Sequence, residues 1–136
     1  MTSAEDTEHL PIRNGDDVVR VRQLVRSRAQ AVKLSLVDQT KLVTAASELA
    51  RNVVTYGGSG TALVETLSRN GRRGIRATFA DSGPGIEDLD LALTDGWTSG
   101  NGLGLGLSGA RRLVDEFDIE SKSGVGTTVT VTKWTR

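Results

Sequence analysis

The feature that most restricts this chain is a glycine-dense stretch at residues 95–109, Asp95-Gly96-Trp97-Thr98-Ser99-Gly100-Asn101-Gly102-Leu103-Gly104-Leu105-Gly106-Leu107-Ser108-Gly109. Six of the chain's 16 glycines fall within it. Glycine gives up more conformational entropy on ordering than other residues, so such density needs a reason. A helical pattern starts near Leu105, and bare amides at a helix N-terminus attract anions, phosphate above all. Two readings stand side by side at this point: a phosphate cradle, or a flexible surface loop.

Gly104-Leu105-Gly106-Leu107-Ser108-Gly109 satisfies G-x-G-x-x-G. The dinucleotide fingerprint also requires a strand directly before it and an acid on a later strand. Residues 94–101 are turn-rich, and the chain ends at Arg136, too soon for a doubly wound sheet. No Gly-Lys-Ser/Thr occurs, so there is no Walker A loop. The catalytic and magnesium loops of eukaryotic-type protein kinases are also missing.

With 136 residues the chain fits one domain with a real core. Its 17 basic and 17 acidic residues balance, which argues against nucleic acid or a membrane surface as partner. The absence of cysteine excludes disulfides and thiolate metal sites. No apolar run has the length of a membrane span, and the polar, acidic start lacks a signal-peptide core. A soluble cytoplasmic protein is expected.

Residues 1–8 are expected to be disordered, and residues 9–13 to form a short edge strand. Residues 17–32 carry Val18, Val21, Leu24, Val25 and Val32 at helical spacing, with Arg20, Arg22, Arg26 and Arg28 on a solvated face. A second helix is expected from Asp38, as N-cap, to Val54 or Tyr56, with Leu42, Ala46, Leu49 and Val53 inward. Gly57-Gly58-Ser59-Gly60 stops it. Residues 61–69 and 73–80 read as strands joined by Asn70-Gly71, a strong hairpin signal. A short helix at 87–93, a main helix from the glycine loop to Phe117, a short strand at Ile119 and a last strand at 127–134 complete the chain. The order implies an α+β fold of two layers, helices covering one face of a mixed, mostly antiparallel sheet.

Four local signals bear on chemistry, each with a plain structural alternative. Asp81-Ser82-Gly83-Pro84-Gly85-Ile86 puts a carboxylate at a strand end, either to accept from an exocyclic amine such as adenine's or simply to cap a turn. Glu48 and Asn52 share one helix face. Asn offers an uncharged oxygen to Mg²⁺, and Glu can take a proton from an attacking hydroxyl; alternatively both are ordinary surface residues. Thr127, after Gly126, either assists Asp81 or is only a strand former. His9, the single histidine, reads as a surface residue rather than a phosphorelay site.

In this fixed order, Ser47-Glu48-Leu49-Ala50-Arg51-Asn52, Asp81 to Ile86, Gly102-Leu103-Gly104-Leu105-Gly106-Leu107 and Gly126-Thr127 resemble the N-box, glycine boxes and Gly-Thr element of the GHKL ATPase superfamily. The resemblance covers residues 10–134. Within the superfamily, Arg111-Arg112-Leu113-Val114-Asp115-Glu116-Phe117-Asp118-Ile119-Glu120-Ser121 and Thr132-Lys133-Trp134 are similar to the serine/threonine kinases of the bacterial stressosome.

The resemblance implies a Bergerat α/β sandwich binding ATP and Mg²⁺ under a lid. Asp81 would read adenine, with Thr127, Gly83, Gly85 and Ile86 around it. Asn52 would hold Mg²⁺. Amides of Gly102, Leu103, Gly104, Leu105, Gly106 and Leu107 would cradle the phosphates, and Glu48 would orient or deprotonate the acceptor hydroxyl. The implied substrates are STAS-domain stressosome proteins phosphorylated on Ser or Thr. A PP2C-type phosphatase, bound and activated by the released kinase, is the second implied partner. An anti-sigma factor kinase, the ATP-binding domain of a sensor histidine kinase and an inactive ATP-gated binding module are the rival readings.

Overall fold

The computed structural model describes residues 1–86, 93 and 106–136. The chain runs β1 (Thr2–Ile12), α1 (Gly15–Ala31), α2 (Leu36–Asn52), a π-helical turn (Val53–Gly57), β2 (Gly60–Arg69), β3 (Arg72–Asp81), α3 (Gly106–Arg112), β4 (Glu116–Lys122) and β5 (Gly126–Trp134). The sheet order is β1-β2-β3-β5-β4. Every ladder is antiparallel, so the mixed sheet expected from sequence is antiparallel throughout the described residues.

Both long helices start on side-chain caps. Asn14 Oδ1 accepts the Asp17 N–H at 3.1 Å, and Ser35 Oγ accepts the Asp38 N–H at 3.1 Å. Ser35, not Asp38, is therefore the cap of α2; Asp38 lies inside its first turn, where a carboxylate favours the positive helix end. Helix α1 ends with Lys33 in the left-handed region (φ 65°), Lys33 N–H donating to Gln30 O and Leu34 N–H to Ala29 O. This Schellman-type closure turns the chain at once into α2, so the two helices pack side by side.

The strand alternation follows one face. Ala62 and Val64 of β2, Ile75, Ala77 and Phe79 of β3, and Val129 and Val131 of β5 meet Val21, Val25, Leu42, Ala46 and Leu49 in a single core. The opposite face is more polar, with Leu67 and Trp134 buried at one end of it. There Arg76 forks onto Glu65 at 2.9 and 3.1 Å, and the carboxylate holds the guanidinium above its ordinary pKa.

Three expectations need correction. Residues 1–8 are not disordered; β1 begins at Thr2 and pairs with β2 through a bulge between Glu5 and Glu8. Arg28, expected on a solvated face, holds this segment by donating to Asp6 O and Glu8 Oε1. The helix after the glycine loop stops at Arg112, because Phe117 belongs to β4, opposite Val131. The helix expected at 87–93 falls outside the described residues, apart from Leu93 in a turn.

Candidate functional site

Glu48 sits in the last turns of α2 and is buried at 4% exposure. Its two oxygens face different ways. Oε1 accepts the N–H of Gly106, the first residue of α3, at 3.2 Å, while Oε2 pairs with Arg51 at 3.0 Å. The carboxylate thus links the helix that carries it to the helix that ends the glycine loop. Both oxygens of this buried side chain thus have partners, as burial of a polar group requires.

Asn52 is the last residue of α2, half-buried, one helical turn beyond Glu48. The π-helical turn follows it directly; such turns occur mostly at functional positions. This turn brings Gly57 against the strand-end carboxylate. A Cβ at Gly57 would lie 2.5 Å from both Cβ and Cγ of Asp81 and 2.8 Å from its Oδ2.

Asp81 ends β3, with Gly60 opposite on β2 and Thr127 opposite on β5. Oδ1 accepts the Gly83 N–H at 2.9 Å, which aims the carboxylate and leaves Oδ2 for another donor. Backbone packs close around it. Cβ atoms at Gly83 and Gly126 would approach Gly57 Cα to 2.7 Å and Asp81 O to 2.2 Å. The sequence reading treats Gly57 only as a helix stop, so it misses this role. The G-G-S-G run is the available signal, being denser than a helix stop requires.

The turn after Asp81 is clamped onto the β4–β5 hairpin. Gly124 N–H donates to Pro84 O at 2.7 Å, and Ile86 N–H donates to Ser121 Oγ at 2.8 Å. Ser121 Oγ also lies 2.8 Å from Thr127 Oγ1 and 3.3 Å from Gly126 O. Gly85 has φ 75°, and a Cβ there would meet Lys122 O at 2.3 Å. Ser121, read from sequence only as part of a C-terminal signature, is thus the residue that joins Ile86 to Thr127.

The structure therefore brings Glu48 to Gly106, Asp81 to Gly83 and Thr127, and Ile86 to Thr127 through Ser121. Leu107 packs against the core. Gly102, Leu103, Gly104 and Leu105 lie outside the described residues. Among the described residues no three His, Cys, Asp or Glu side chains converge as a metal site.

The model of the histidine kinase-, DNA gyrase B-, and HSP90-like ATPases matches residues 37–135. The serine/threonine-protein kinase RsbT of Bacillus subtilis is 42% identical over 120 residues, 88% of this chain and 90% of the relative. The chain belongs to this ATPase family, among its RsbT-type serine/threonine kinases. An anti-sigma F factor of Thermoanaerobacter pseudethanolicus is 27% identical, over 83% of this chain and 82% of the relative. The crystal structure of the RsbU and RsbW domains of a Mycobacterium tuberculosis protein shares the fold, with a TM-score of 0.67 at 21% identity. That match covers 97% of this chain and 33% of the other.

The C-terminal run is tied together by packing and hydrogen bonds. Asp115 Oδ2 accepts the Trp134 N–H at 2.8 Å, Glu116 Oε2 accepts the Trp134 indole N–H at 2.6 Å, and Arg69 lies over the Trp134 ring at 4.5 Å. These residues fasten the end of β5 to the α3–β4 connection.

Proposed function

We propose that this RsbT-type kinase transfers the γ-phosphoryl group of ATP to a Ser or Thr hydroxyl of STAS-domain stressosome proteins, and that its released form binds and activates a PP2C-type phosphatase in the cytoplasm. The observation that carries the reading is the position of Glu48, buried between the α3 N-terminus and Arg51. Phosphoryl transfer asks mainly for positioning and charge neutralisation, so few catalytic groups suffice.

In this reading Asp81 accepts the adenine amine through Oδ2. The Thr127 hydroxyl supports the same edge, and Gly83, Gly85 and Ile86 shape the base pocket. Asn52 would hold Mg²⁺, and the amides of Gly102 to Leu107 would face the phosphates, except that of Gly106, whose N–H goes to Glu48. ATP supplies the phosphoryl group and, with Mg²⁺, the polarised leaving group. Glu48 orients the acceptor hydroxyl and takes its proton as the oxygen bonds to the γ-phosphorus, while the bond from that phosphorus to the β–γ bridging oxygen breaks and ADP leaves.

Incubation with γ-labelled ATP, Mg²⁺ and a STAS-domain protein tests this. Acid-stable label on Ser or Thr of the acceptor is expected; ATP binding with no labelled acceptor would favour an inactive module. The anti-sigma F relatives support a second reading, a kinase that sequesters a sigma subunit. Pull-down of a sigma factor in place of a STAS protein would select it.

A further inference from the structure

A groove of about 530 Å³ lies between α1 and α2 and is lined in part by Glu48, the residue that also holds the Gly106 amide. Arg22 and Arg26 line it from α1; Thr44, Ser47, Glu48 and Arg51 line it from α2. We propose that it docks an acidic segment of the acceptor protein, with Arg22 and Arg26 selecting carboxylate side chains beside the target hydroxyl. This rests on the kinase reading of Glu48.

The charge count is one-sided. Three guanidiniums face a single carboxylate, and that carboxylate is already paired with Arg51 at 3.0 Å. Other arginines of α1 are neutralised: Arg20 pairs with Asp17 at 2.6 Å and Arg28 with Glu8 at 3.1 Å. Arg22 and Arg26 form no ion pair among the described residues. Like charges at i and i+4 weaken a helix, so this pair costs α1 stability. The Ser47 hydroxyl is taken up by Val43 O at 2.8 Å, so Glu48 is the only anionic side chain lining the groove among the described residues. A peptide laid in this groove meets three guanidiniums and, on the same lining, Glu48. Glu48 is where the acceptor hydroxyl must arrive.

The test uses the full chain and two fluorescein-labelled peptides, each with one serine, flanked either by Asp and Glu or by Lys and Arg. Anisotropy should show salt-sensitive binding of the acidic peptide only. The double variant Arg22→Glu/Arg26→Glu should weaken it by about tenfold or more, as expected for reversing two rim charges. Arg22→Lys/Arg26→Lys should retain most of the affinity. Mg-ATP affinity by calorimetry should be unchanged in both, which also shows that the variants fold. Equal binding of the acidic peptide to wild type and the reversed variant, binding of the basic peptide as tight as the acidic one, or no binding of either would overturn the proposal. Peptide binding as expected, with no transfer of label from γ-labelled ATP to a STAS-domain protein, would sink the kinase reading and leave the groove standing. Transfer to that protein with a KM indifferent to the reversal would do the opposite.

Discussion

Replacing Gly57 by alanine isolates the part of the site that sequence reasoning passed over. Gly57 is not among the positive-φ residues, so alanine is allowed there by the backbone and the effect is steric. The added methyl would stand 2.5 Å from Asp81 Cβ and Cγ and 2.8 Å from Oδ2. Carbon contacts settle near 3.5–4.0 Å, so Asp81 must retreat by about 1 Å. A hydrogen bond of ordinary length from the adenine amine would then stretch to roughly 3.9 Å, beyond any useful interaction. A hydrogen bond to a charged group contributes about 1.5–3 kcal/mol, so ATP should bind about 10–150-fold more weakly. Overpacking should also lower stability by about 1–3 kcal/mol. Calorimetric titration with Mg-ATP, well below the melting temperature, separates the two effects. Gly15→Ala is the control, since nothing lies within 4 Å of its Cβ position. Wild-type ATP affinity in Gly57→Ala, alongside a severe loss in Asp81→Asn, would refute the claim that this glycine sets the carboxylate's position.

Glu48→Gln keeps an acceptor for the Gly106 amide but loses the charge; transfer should slow roughly 10²–10⁴-fold with ATP binding intact, and normal turnover would remove Glu48 from the chemistry. Ser121→Ala should raise KM for ATP by about 3–10-fold with little change in kcat, from the loss of one or more hydrogen bonds at about 1 kcal/mol each, while Ser121→Thr rescues; an equal KM in the alanine variant would deny Ser121 its positioning role. The Arg13 side chain and backbone N–H hold the Asp17 carboxyl below its usual pKa. Its stabilisation is therefore complete above the unfolded pKa, near 4, and fades as pH falls through the lower folded value. Asp17→Asn should flatten the acid limb of a circular-dichroism titration, and an unaltered limb would contradict the linkage. Lys133, 3% exposed, lies 3.6 Å from Asp38 and 3.5 Å from Asp115. Lys133→Met should cost about 3–5 kcal/mol in denaturant unfolding, because the buried Asp38 carboxylate loses a counter-charge, and a loss below about 1 kcal/mol would mean that Arg136 neutralises Asp38 alone.

What the sequence shows depends on whether the cause is local. The hairpin at Asn70-Gly71 is legible because both residues need positive φ, and both have it, at 53° and 79°. The stripe through Leu42, Ala46 and Leu49 is legible because burial follows the helical period. The end of α3 is not. Phe117 continues the apolar spacing of Leu113 and Val114, yet pairing with Val131 draws it into β4, so a tertiary contact overrides the pattern. The order of residues 2–8 is hidden for the same reason, since the β2 edge and Arg28 that hold them are far away in sequence.

The site divides along the same line. Glu48 and Asn52 share a face by helical arithmetic, and Asp81 announces itself by ending a strand before two glycines. Nothing local shows that one Glu48 oxygen belongs to Gly106 and the other to Arg51, or that Gly57 must be bare because Asp81 lies against it. The antiparallel register makes those meetings possible. By setting Gly60, Asp81 and Thr127 abreast on β2, β3 and β5, it delivers the carboxylate, the hydroxyl and the glycine turns to one end of the sheet. A slip of one residue between β3 and β5 would turn Thr127 to the opposite face and part it from Asp81. The apolar pairs Ala77 with Val131 and Phe79 with Val129 hold the core in that register, so the burial that makes the fold also aligns Asp81 with Thr127, the groups proposed to face the nucleotide.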